Sequence, residues 1–353
     1  MKRRVFRWGI WGTGDISRKF ALGLRAVNGA SLAWVLSRDK GRADQFARRV
    51  GAPVGFDNFS DAAAAGADAI YIATPAQFHA EHAVNALNAD IPILIEKPFS
   101  SSFEDANTIV NIARQKKIFA MEALWTRFQP NVIKAKKLLL DGRIGTPRLL
   151  RGDVCIASLP GGSLYDAQGG GALRQRGVYP LSLASYFLGL PESGSSIMRF
   201  GSSGIDEESV VQLRHPNGAI SHIRASTTTT ASNTFEILGN KGAMRFEGRI
   251  WRPSAVRLKT YKPRRHDSAP SKFSDLRETS LGQSIQRALM PVIDRTGWQR
   301  VSVPNSGNGY NYQAEEVMNR IAAGDLESPL MPLSESLSIM GFMDRMISEG
   351  KYK

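Results

Sequence analysis

Short apolar runs alternate with helical stretches along the first third of the chain, and this alternation restricts the fold more than any other feature. The runs lie at residues 5–10, 31–36, 69–73 and 91–95. Between them, apolar residues recur at the three- or four-residue spacing of amphipathic helices. Strands that alternate with helices form a parallel sheet with right-handed crossovers. We therefore predict an α/β protein that begins with a doubly wound parallel sheet.

The pattern changes after Pro147. Strand-like segments separated mostly by Gly, Pro or Asn turns follow at 148–157, 210–214, 219–229, 234–238 and 243–247. Such segments are typical of an antiparallel or mixed sheet. Because 353 residues with 42% hydrophobic side chains suffice for two full cores, we predict a first domain at 1–123 and a second, α+β domain at 124–353. Its last segments, 310–323 and 333–348, read as helices that could pack on either domain.

The net charge of +14 raises nucleic acid or another anionic partner as a hypothesis. Between residues 249 and 300, basic side chains lie among Pro and Ser, at Arg252, Arg257, Lys259, Lys262, Arg264, Arg265, Lys272 and Arg277. Few aromatics accompany them and no nucleic-acid motif is present, so we interpret the stretch as a solvated loop. We expect no nucleic-acid partner.

Cysteine content and hydropathy indicate the compartment. Cys155 is the only cysteine, so no intrachain disulfide can form, and we expect it to be a buried small side chain. No apolar stretch has the length of a signal peptide or a membrane span. We expect a cytoplasmic protein without a membrane partner.

The first candidate site is the glycine turn after the first strand. Gly12 permits a tight turn, and Gly14 lets the backbone approach a pyrophosphate held by the amides of a helix that starts near Asp15 and Ile16. Ser17 can serve as the third small residue. A glycine turn between a first strand and a helix predicts dinucleotide binding.

The end of the second strand bears on the choice of cofactor. A carboxylate here would accept hydrogen bonds from a ribose 2′-hydroxyl, whereas Ser37 and Arg38 suit a 2′-phosphate. We therefore expect NADP to be preferred over NAD. If the register slips by two residues, Asp39 could bind the ribose instead and reverse this preference.

The third site is Lys97, within Glu96-Lys97-Pro98 at the end of a predicted parallel strand. Ligands of such sheets bind at the carboxyl ends of the strands, and Pro98 restricts the backbone after the lysine. The alternative is a solvated lysine beside Glu96.

Four ordered motifs together resemble the glucose-fructose oxidoreductase / inositol dehydrogenase / MocA family. They are the glycine turn, residues 73–79 (ATPAQFH), Glu96-Lys97-Pro98, and residues 169–180 (GGGALRQRGVYP). Residues 121–130, 239–242, 312–317 and 327–333 further resemble the branch of dimeric dihydrodiol dehydrogenases and NADP-dependent D-xylose dehydrogenases. The resemblance implies an N-terminal Rossmann domain and a C-terminal domain whose large open sheet covers the active site and often forms a dimer, so a homodimer or higher homo-oligomer is expected.

The resemblance also implies site residues. Lys97 would assist proton transfer and Tyr179 would act as acid or base, with the lysine ammonium favouring the phenolate. By matching position, the cofactor would contact Thr74, Pro75, His79, Glu96, Trp125 and Arg127, and Trp125 would also lie beside the substrate. The alternative for His79 is a residue at the start of a helix whose hydrogen bonds are satisfied locally. The alternative for Trp125 is packing in the core or at an interface.

One position departs from the family pattern. Gln175 stands where family members commonly carry an acid, and a glutamine cannot exchange a proton near neutral pH. It could hold a substrate hydroxyl, and the flanking Arg174 and Arg176 could bind a uronate or another sugar acid. Outward-facing structural charge is the alternative for the two arginines.

These observations predict an NADP-preferring oxidoreductase that transfers a hydride between nicotinamide and a carbinol or carbonyl of a sugar, cyclitol or diol, with no metal site. Three alternatives stay open. The chain could bind a cofactor in a sensory or regulatory role without turnover, it could cleave glycosides through transient oxidation by tightly bound NAD, or it could bind nucleic acid.

Overall fold

Six parallel strands form the first sheet, in the spatial order β3-β2-β1-β4-β5-β6. This computed structural model describes residues 4–261, 279–295 and 297–350. The strands are β1 (Phe6–Trp11), β2 (Ala30–Leu36), β3 (Gly55–Phe56), β4 (Ala69–Ile72), β5 (Ile93–Ile95) and β6 (Ala120–Glu122). The order reverses between β1 and β4, which opens a crevice at their carboxyl ends. The predicted doubly wound sheet is confirmed.

Three of the five helices that connect these strands begin with a side-chain cap. The five helices are α1 (Asp15–Leu24), α2 (Lys40–Val50), α3 (Phe59–Ala64), α4 (His79–Asn88) and α5 (Phe103–Lys116). The side chains of Asp39, Asn58 and Ser102 accept from the first amides of α2, α3 and α5. α1 differs because Gly14 precedes it and provides no side-chain cap.

Eight strands form the second sheet, in the order β14-β13-β12-β11-β7-β10-β9-β8. They are β7 (Pro147–Cys155), β8 (Ser193–Phe200), β9 (Asp206–Arg214), β10 (Ile220–Ser226), β11 (Phe235–Gly239), β12 (Gly242–Glu247), β13 (Ala255–Thr260) and β14 (Gln299–Val301). β7 and β10 run parallel and the other neighbours are antiparallel. The predicted mixed sheet is confirmed, although the sequence did not indicate β8, whose Ser-rich residues hide the alternation, or β13 and β14.

Five further helices follow in the part of the chain that the structure describes. They are α6 (Pro130–Leu140), α7 (Val178–Leu188), α8 (Ser280–Arg295), α9 (Asn311–Ala323) and α10 (Leu333–Gly350). α9 packs on α1, and α10 packs on both α5 and β8. The two C-terminal helices therefore tie the two sheets together. No helix in the described ranges is long and apolar enough to cross a membrane.

The interpretation of residues 249–300 as a solvated loop is wrong for most of the residues that the structure describes there, although Arg252 is exposed in the loop between β12 and β13. β13, α8 and β14 lie within this stretch, and Arg257 pairs with Glu247 of the neighbouring strand at 2.5 Å. Arg300 of β14 reaches the same carboxylate at 2.9 Å. The other basic residues of this stretch lie outside the described residues; they are Lys262, Arg264, Arg265, Lys272 and Arg277.

Candidate active site

A cavity of about 410 Å³ lies between the carboxyl ends of the first sheet and the inner side of the second. The first sheet and its loops contribute Ile16, Lys19, Thr74, Pro75, Ala76, His79, Glu96 and Lys97. The remaining wall consists of Trp125, Val154, Ile156, Ser163, Gln175, Arg176, Tyr179, Arg249, Trp251 and Tyr310. The structure thus brings Lys97 and Tyr179 together in one cavity at the predicted edge.

The glycine turn leads into this edge and fits a pyrophosphate. Gly12 has φ +121°, and a Cβ there would lie 2.5 Å from the carbonyl oxygen of Ala73, so only glycine is accommodated. A Cβ on Gly14 would meet no atom within 4 Å. The start of α1 therefore has no side-chain cap and has open space beside Gly14, which suits an anion at a helix N-terminus.

The first residues of α1 connect the turn to the cavity. Ile16 and Lys19 line the cavity, whereas the exposed carboxylate of Asp15 pairs with Arg18 at 2.6 Å and with Lys19 at 2.8 Å. The hydrogen bonds to these cations lower the pKa of Asp15. Its negative charge is thus partly neutralised within the same helix turn.

Ser37 and Arg38 directly follow β2, at the same edge of the sheet. Arg38 is exposed, and its guanidinium carbon lies 5.8 Å from the centre of the Phe78 ring. Asp39 begins α2, and its carboxylate accepts a hydrogen bond from the Arg42 amide at 2.7 Å. Asp39 therefore acts as a helix cap, whereas the exposed guanidinium of Arg38 lies beside the Phe78 ring.

The loop after β4 is fixed by His79. Its Nε2 lies 2.8 Å from the carbonyl oxygen of Thr74, and its Nδ1 lies 3.0 Å from that of Pro98. His79 is 1% exposed, and burial lowers its pKa. The ring thus joins the Thr74-Pro75 loop to the Glu-Lys-Pro segment, and neither ring nitrogen is left for a cofactor.

Lys97 leaves the end of β5 and enters the cavity. Its Nζ donates to the backbone oxygen of Gln175 at 2.9 Å and to the side-chain Oε1 of the same residue at 3.3 Å. Burial lowers the pKa of Lys97 to about 8, and the nearby positive charge of Arg176 acts in the same direction. An amine with this pKa can exchange a proton near neutral pH.

Two carboxyl groups lie behind Lys97. Glu96 is buried and accepts hydrogen bonds from the Tyr71 hydroxyl and, at 3.1 Å, from the Lys97 amide. Glu122 ends β6, opposite Ile95 in the neighbouring strand, and burial raises its pKa to about 7. Both carboxylates counter the lowering of the Lys97 pKa, and sequence reasoning did not single out Glu122.

Tyr179 is the second residue of α7 and faces the same space. The Nε1 of Trp125 donates to its hydroxyl at 3.4 Å, and the Lys97 Nζ lies 5.3 Å from the centre of its ring. Burial raises the pKa of Tyr179, with a further contribution from the negative charge of Glu96. The expected shift towards a phenolate is therefore wrong, because burial outweighs the nearby cations.

Trp125 and Arg127 lie on one short 3₁₀ turn but have different surroundings. Trp125 lines the cavity and stacks on Tyr310, with ring centres 4.4 Å apart. Arg127 is 1% exposed, and its three guanidinium nitrogens are engaged by Ser182, the Leu330 carbonyl and Glu335. The structure contradicts a cofactor contact for Arg127, since no donor remains.

The two arginines beside Gln175 also have different surroundings. Arg174 pairs with Asp344 of α10 at 2.5 Å and does not line the cavity, so the expected substrate contact is wrong for this residue. Arg176 lines the cavity and donates to the Ser158 hydroxyl at 3.1 Å. The Nε2 of Gln175 donates to the Gly169 carbonyl at 2.7 Å, which orients its Oε1 towards Lys97.

Several wall residues were missed by sequence reasoning. Arg249, Trp251 and Tyr310 come from segments far along the chain, and no local motif marks them. Within the described ranges, no group of three or more His, Cys, Asp or Glu side chains could hold a metal ion.

Two family models match the chain. Residues 6–123 match one described as an oxidoreductase family with an NAD-binding Rossmann fold, and residues 132–245 match a GFO/IDH/MocA C-terminal domain. Among curated proteins, human trans-1,2-dihydrobenzene-1,2-diol dehydrogenase is 28% identical over 338 residues, covering 94% of this chain and 93% of that protein.

Solved structures share the fold along the whole chain. The aldose-aldose oxidoreductase from Caulobacter crescentus superposes with a TM-score of 0.81 at 18% identity, covering 99% of this chain and 98% of the other. A 3-ketoreductase from Actinomadura kijaniata in complex with NADP and TDP-benzene gives 0.79 at 21% identity, covering 98% and 97%.

Proposed function

The chain belongs to the Gfo/Idh/MocA oxidoreductase family and is an NAD(P)-dependent oxidoreductase, and from this premise we propose that it prefers NADP and oxidises or reduces a sugar, cyclitol or diol. The observation that carries the proposal is the meeting of Lys97, Gln175 and Tyr179 in one cavity beside the glycine turn. The nicotinamide would accept or supply a hydride at the carbinol carbon.

The residues after β2 support NADP. The exposed guanidinium of Arg38 and the Ser37 hydroxyl lie where an adenosine ribose would bind. Asp39, which would favour NAD, is engaged as the cap of α2. A 2′-phosphate would therefore find a cation here.

Lys97 is proposed as the group that exchanges the substrate proton. With a pKa of about 8, it is an ammonium that can donate to a carbonyl or, when neutral, a base that can accept from a hydroxyl. Tyr179 stays a neutral phenol because burial raises its pKa, so it completes the relay by hydrogen-bonding the reacting oxygen. The ammonium also stabilises negative charge on that oxygen.

Gln175 supports turnover rather than the regulatory alternative. The two oxygens that accept from Lys97 both belong to Gln175, so the lysine is oriented even though the usual acid is absent. No observation in the described residues favours glycoside cleavage through tightly bound NAD. That alternative predicts that the cofactor stays bound to the protein through purification.

The finer organisation is also proposed. Residues 1–123 would form the cofactor domain and residues 124–353 the substrate domain, in a cytoplasmic homodimer. Leu149, Ile197 and Ile220 of the second sheet are exposed and would contribute to the dimer contact. Light scattering on the purified protein would show a dimer, and a monomer would exclude this arrangement.

A two-part experiment tests the function. NADPH fluorescence should report binding tighter than that of NADH, and steady-state assays with aldoses, inositols, uronates and diols should show NADP-linked turnover. Cofactor binding without turnover on any substrate would refute the enzyme proposal and favour a regulatory role.

A further inference from the structure

The charged groups of the cavity are unevenly paired. Four cationic side chains line it, at Lys19, Lys97, Arg176 and Arg249, whereas Glu96 is the single carboxylate among the lining residues that the structure describes. Lys19 pairs with Asp15, and the negative charges of Glu96 and Glu122 oppose that of Lys97. Positive charge thus remains at the two arginines.

Arg176 is half-buried yet has no carboxylate partner in the described ranges. Its Nη2 reaches the Ser158 hydroxyl, and its buried Nε has no hydrogen-bond partner there. Burial of a cation costs free energy unless an opposite charge compensates. The guanidinium is close enough to Lys97 and Tyr179 to influence the pKa of both. An anion bound here would therefore lie beside the reacting groups.

Arg249 adds charge at the rim. It follows β12, is exposed, and its guanidinium carbon lies 5.5 Å from the centre of the Trp251 ring. Trp251 in turn lies 6.4 Å from the ring of Tyr179, measured between ring centres. The two arginines therefore approach the Tyr179 region from different segments, and no carboxylate of the described residues pairs with Arg249.

The volume of the cavity limits the ligand. About 410 Å³ is near the lower end of the range for small-molecule sites, and the part beside Ile16, Thr74 and Pro75 would be shared with the nicotinamide end of the cofactor. The remaining space suits a monosaccharide-sized molecule.

We propose that the substrate is a sugar acid whose carboxylate binds Arg176, with Arg249 at the rim, while its reacting hydroxyl lies between Lys97 and Tyr179. This inference rests on the proposed function. In oxidation, the carbinol carbon loses a hydride to NADP⁺ and its hydroxyl loses a proton to Lys97, while the carboxylate is unchanged. Guanidinium matches a carboxylate with two parallel hydrogen bonds.

Matched neutral and acidic sugars test the proposal: D-glucose with D-glucuronate, and D-galactose with D-galacturonate, each with NADP⁺. In whichever pair the enzyme turns over, kcat/KM should be at least tenfold higher for the uronate than for the aldose. Arg176→Gln should lower the ratio of uronate to aldose kcat/KM about tenfold or more, chiefly through the KM of the uronate, and Arg176→Lys should restore part of it. Arg249→Gln should have a smaller effect.

Arg114→Gln is the matched control, since Arg114 is an exposed arginine of α5 that does not line the cavity. It should leave the ratio unchanged. An equal loss for acid and neutral sugar in Arg176→Gln, or a preference for the aldose over its uronate, would overturn the carboxylate assignment while leaving the oxidoreductase proposal intact.

A binding measurement keeps the two proposals separate if no sugar turns over. Calorimetric titration of D-glucuronate into NADP⁺-saturated protein should show binding that Arg176→Gln weakens at least tenfold. Equal binding by both proteins, or none by either, would overturn the sugar-acid inference. Lack of turnover alone would count against the proposed function.

Discussion

The two walls of the cavity are built differently. The cofactor wall, taken together with the turn after β2 that lies outside the cavity lining, consists of segments that follow β1, β2, β4 and β5, so each lies next to an element that the sequence indicates. The substrate wall combines the turn at 173–177, the start of α7, the segment after β12 and the residue before α9. Its members meet only because distant segments pack together.

The difference extends to charge. Next to the cofactor wall, Asp15 pairs within α1 and Asp39 caps α2, so these two carboxylates have local partners. On the substrate wall, Arg174 finds its counter-charge in Asp344, 170 residues away, while Arg176 has no carboxylate partner among the residues that the structure describes. A wall built from distant segments can leave a charge free for a ligand.

The largest effect is expected where the two walls meet. Lys97→Met should lower kcat/KM about a thousandfold, because it removes the group that exchanges the proton. The dissociation constant for NADPH, measured by fluorescence, should change less than about threefold, since the glycine turn and Arg38 are intact. Lys137→Met, at an exposed lysine of α6, is the control. Undiminished turnover in Lys97→Met would remove this residue from the mechanism.

Arg127→Gln tests whether this buried arginine stabilises the fold or takes part in cofactor binding. It should lower the free energy of unfolding by about 3 kcal/mol, because Glu335 would be left without its buried partner. Urea denaturation measures the change, and Arg148→Gln at an exposed position should cost less than about 0.5 kcal/mol. If the variant were as stable as the unmodified protein but bound NADPH more weakly, Arg127 would contribute to cofactor binding after all.

Arg38→Ala probes the cofactor wall alone. The dissociation constant for NADP⁺ should rise about tenfold or more, as expected for a lost charge-assisted contact, while that for NAD⁺ changes little. Asp39→Ala is the matched variant: it should cost about 1 kcal/mol of stability as a lost cap without changing the preference between cofactors. Equal weakening of both cofactors in Arg38→Ala would contradict the 2′-phosphate assignment.

The pH dependence should give the smallest effect. The folded-state pKa of Lys97 is lowered to about 8, so kcat/KM for alcohol oxidation should rise with pH and level off above 8, as the neutral amine forms. Carbonyl reduction should fall over the same range. In Arg176→Gln the inflection should move to higher pH by less than about one unit, since a positive charge that lowers the pKa is gone. An unshifted inflection would mean that the walls are electrostatically independent.

Much of the cofactor wall could be predicted from the sequence. The glycine turn, Ser37-Arg38 and Glu96-Lys97 were each marked by a strand end, because hydrophobic periodicity and glycine placement are short-range properties. The parallel sheet followed from the same periodicity. The Ser-rich β8 and the strands within the basic stretch were missed because their burial depends on neighbouring strands.

Only the tertiary structure decided which charged groups are available for chemistry. The sequence could not distinguish Arg174 from Arg176, because the carboxylate that pairs with Arg174 lies on α10. It could not place Arg127 either, because its partner Glu335 lies 208 residues away on the same helix. It also predicted the wrong direction for the pKa of Tyr179, because burial by distant segments outweighs a neighbouring cation. Local sequence patterns determine the order of the helices and strands. The solvation and the counter-charges of the site residues depend on how distant segments of the chain pack together.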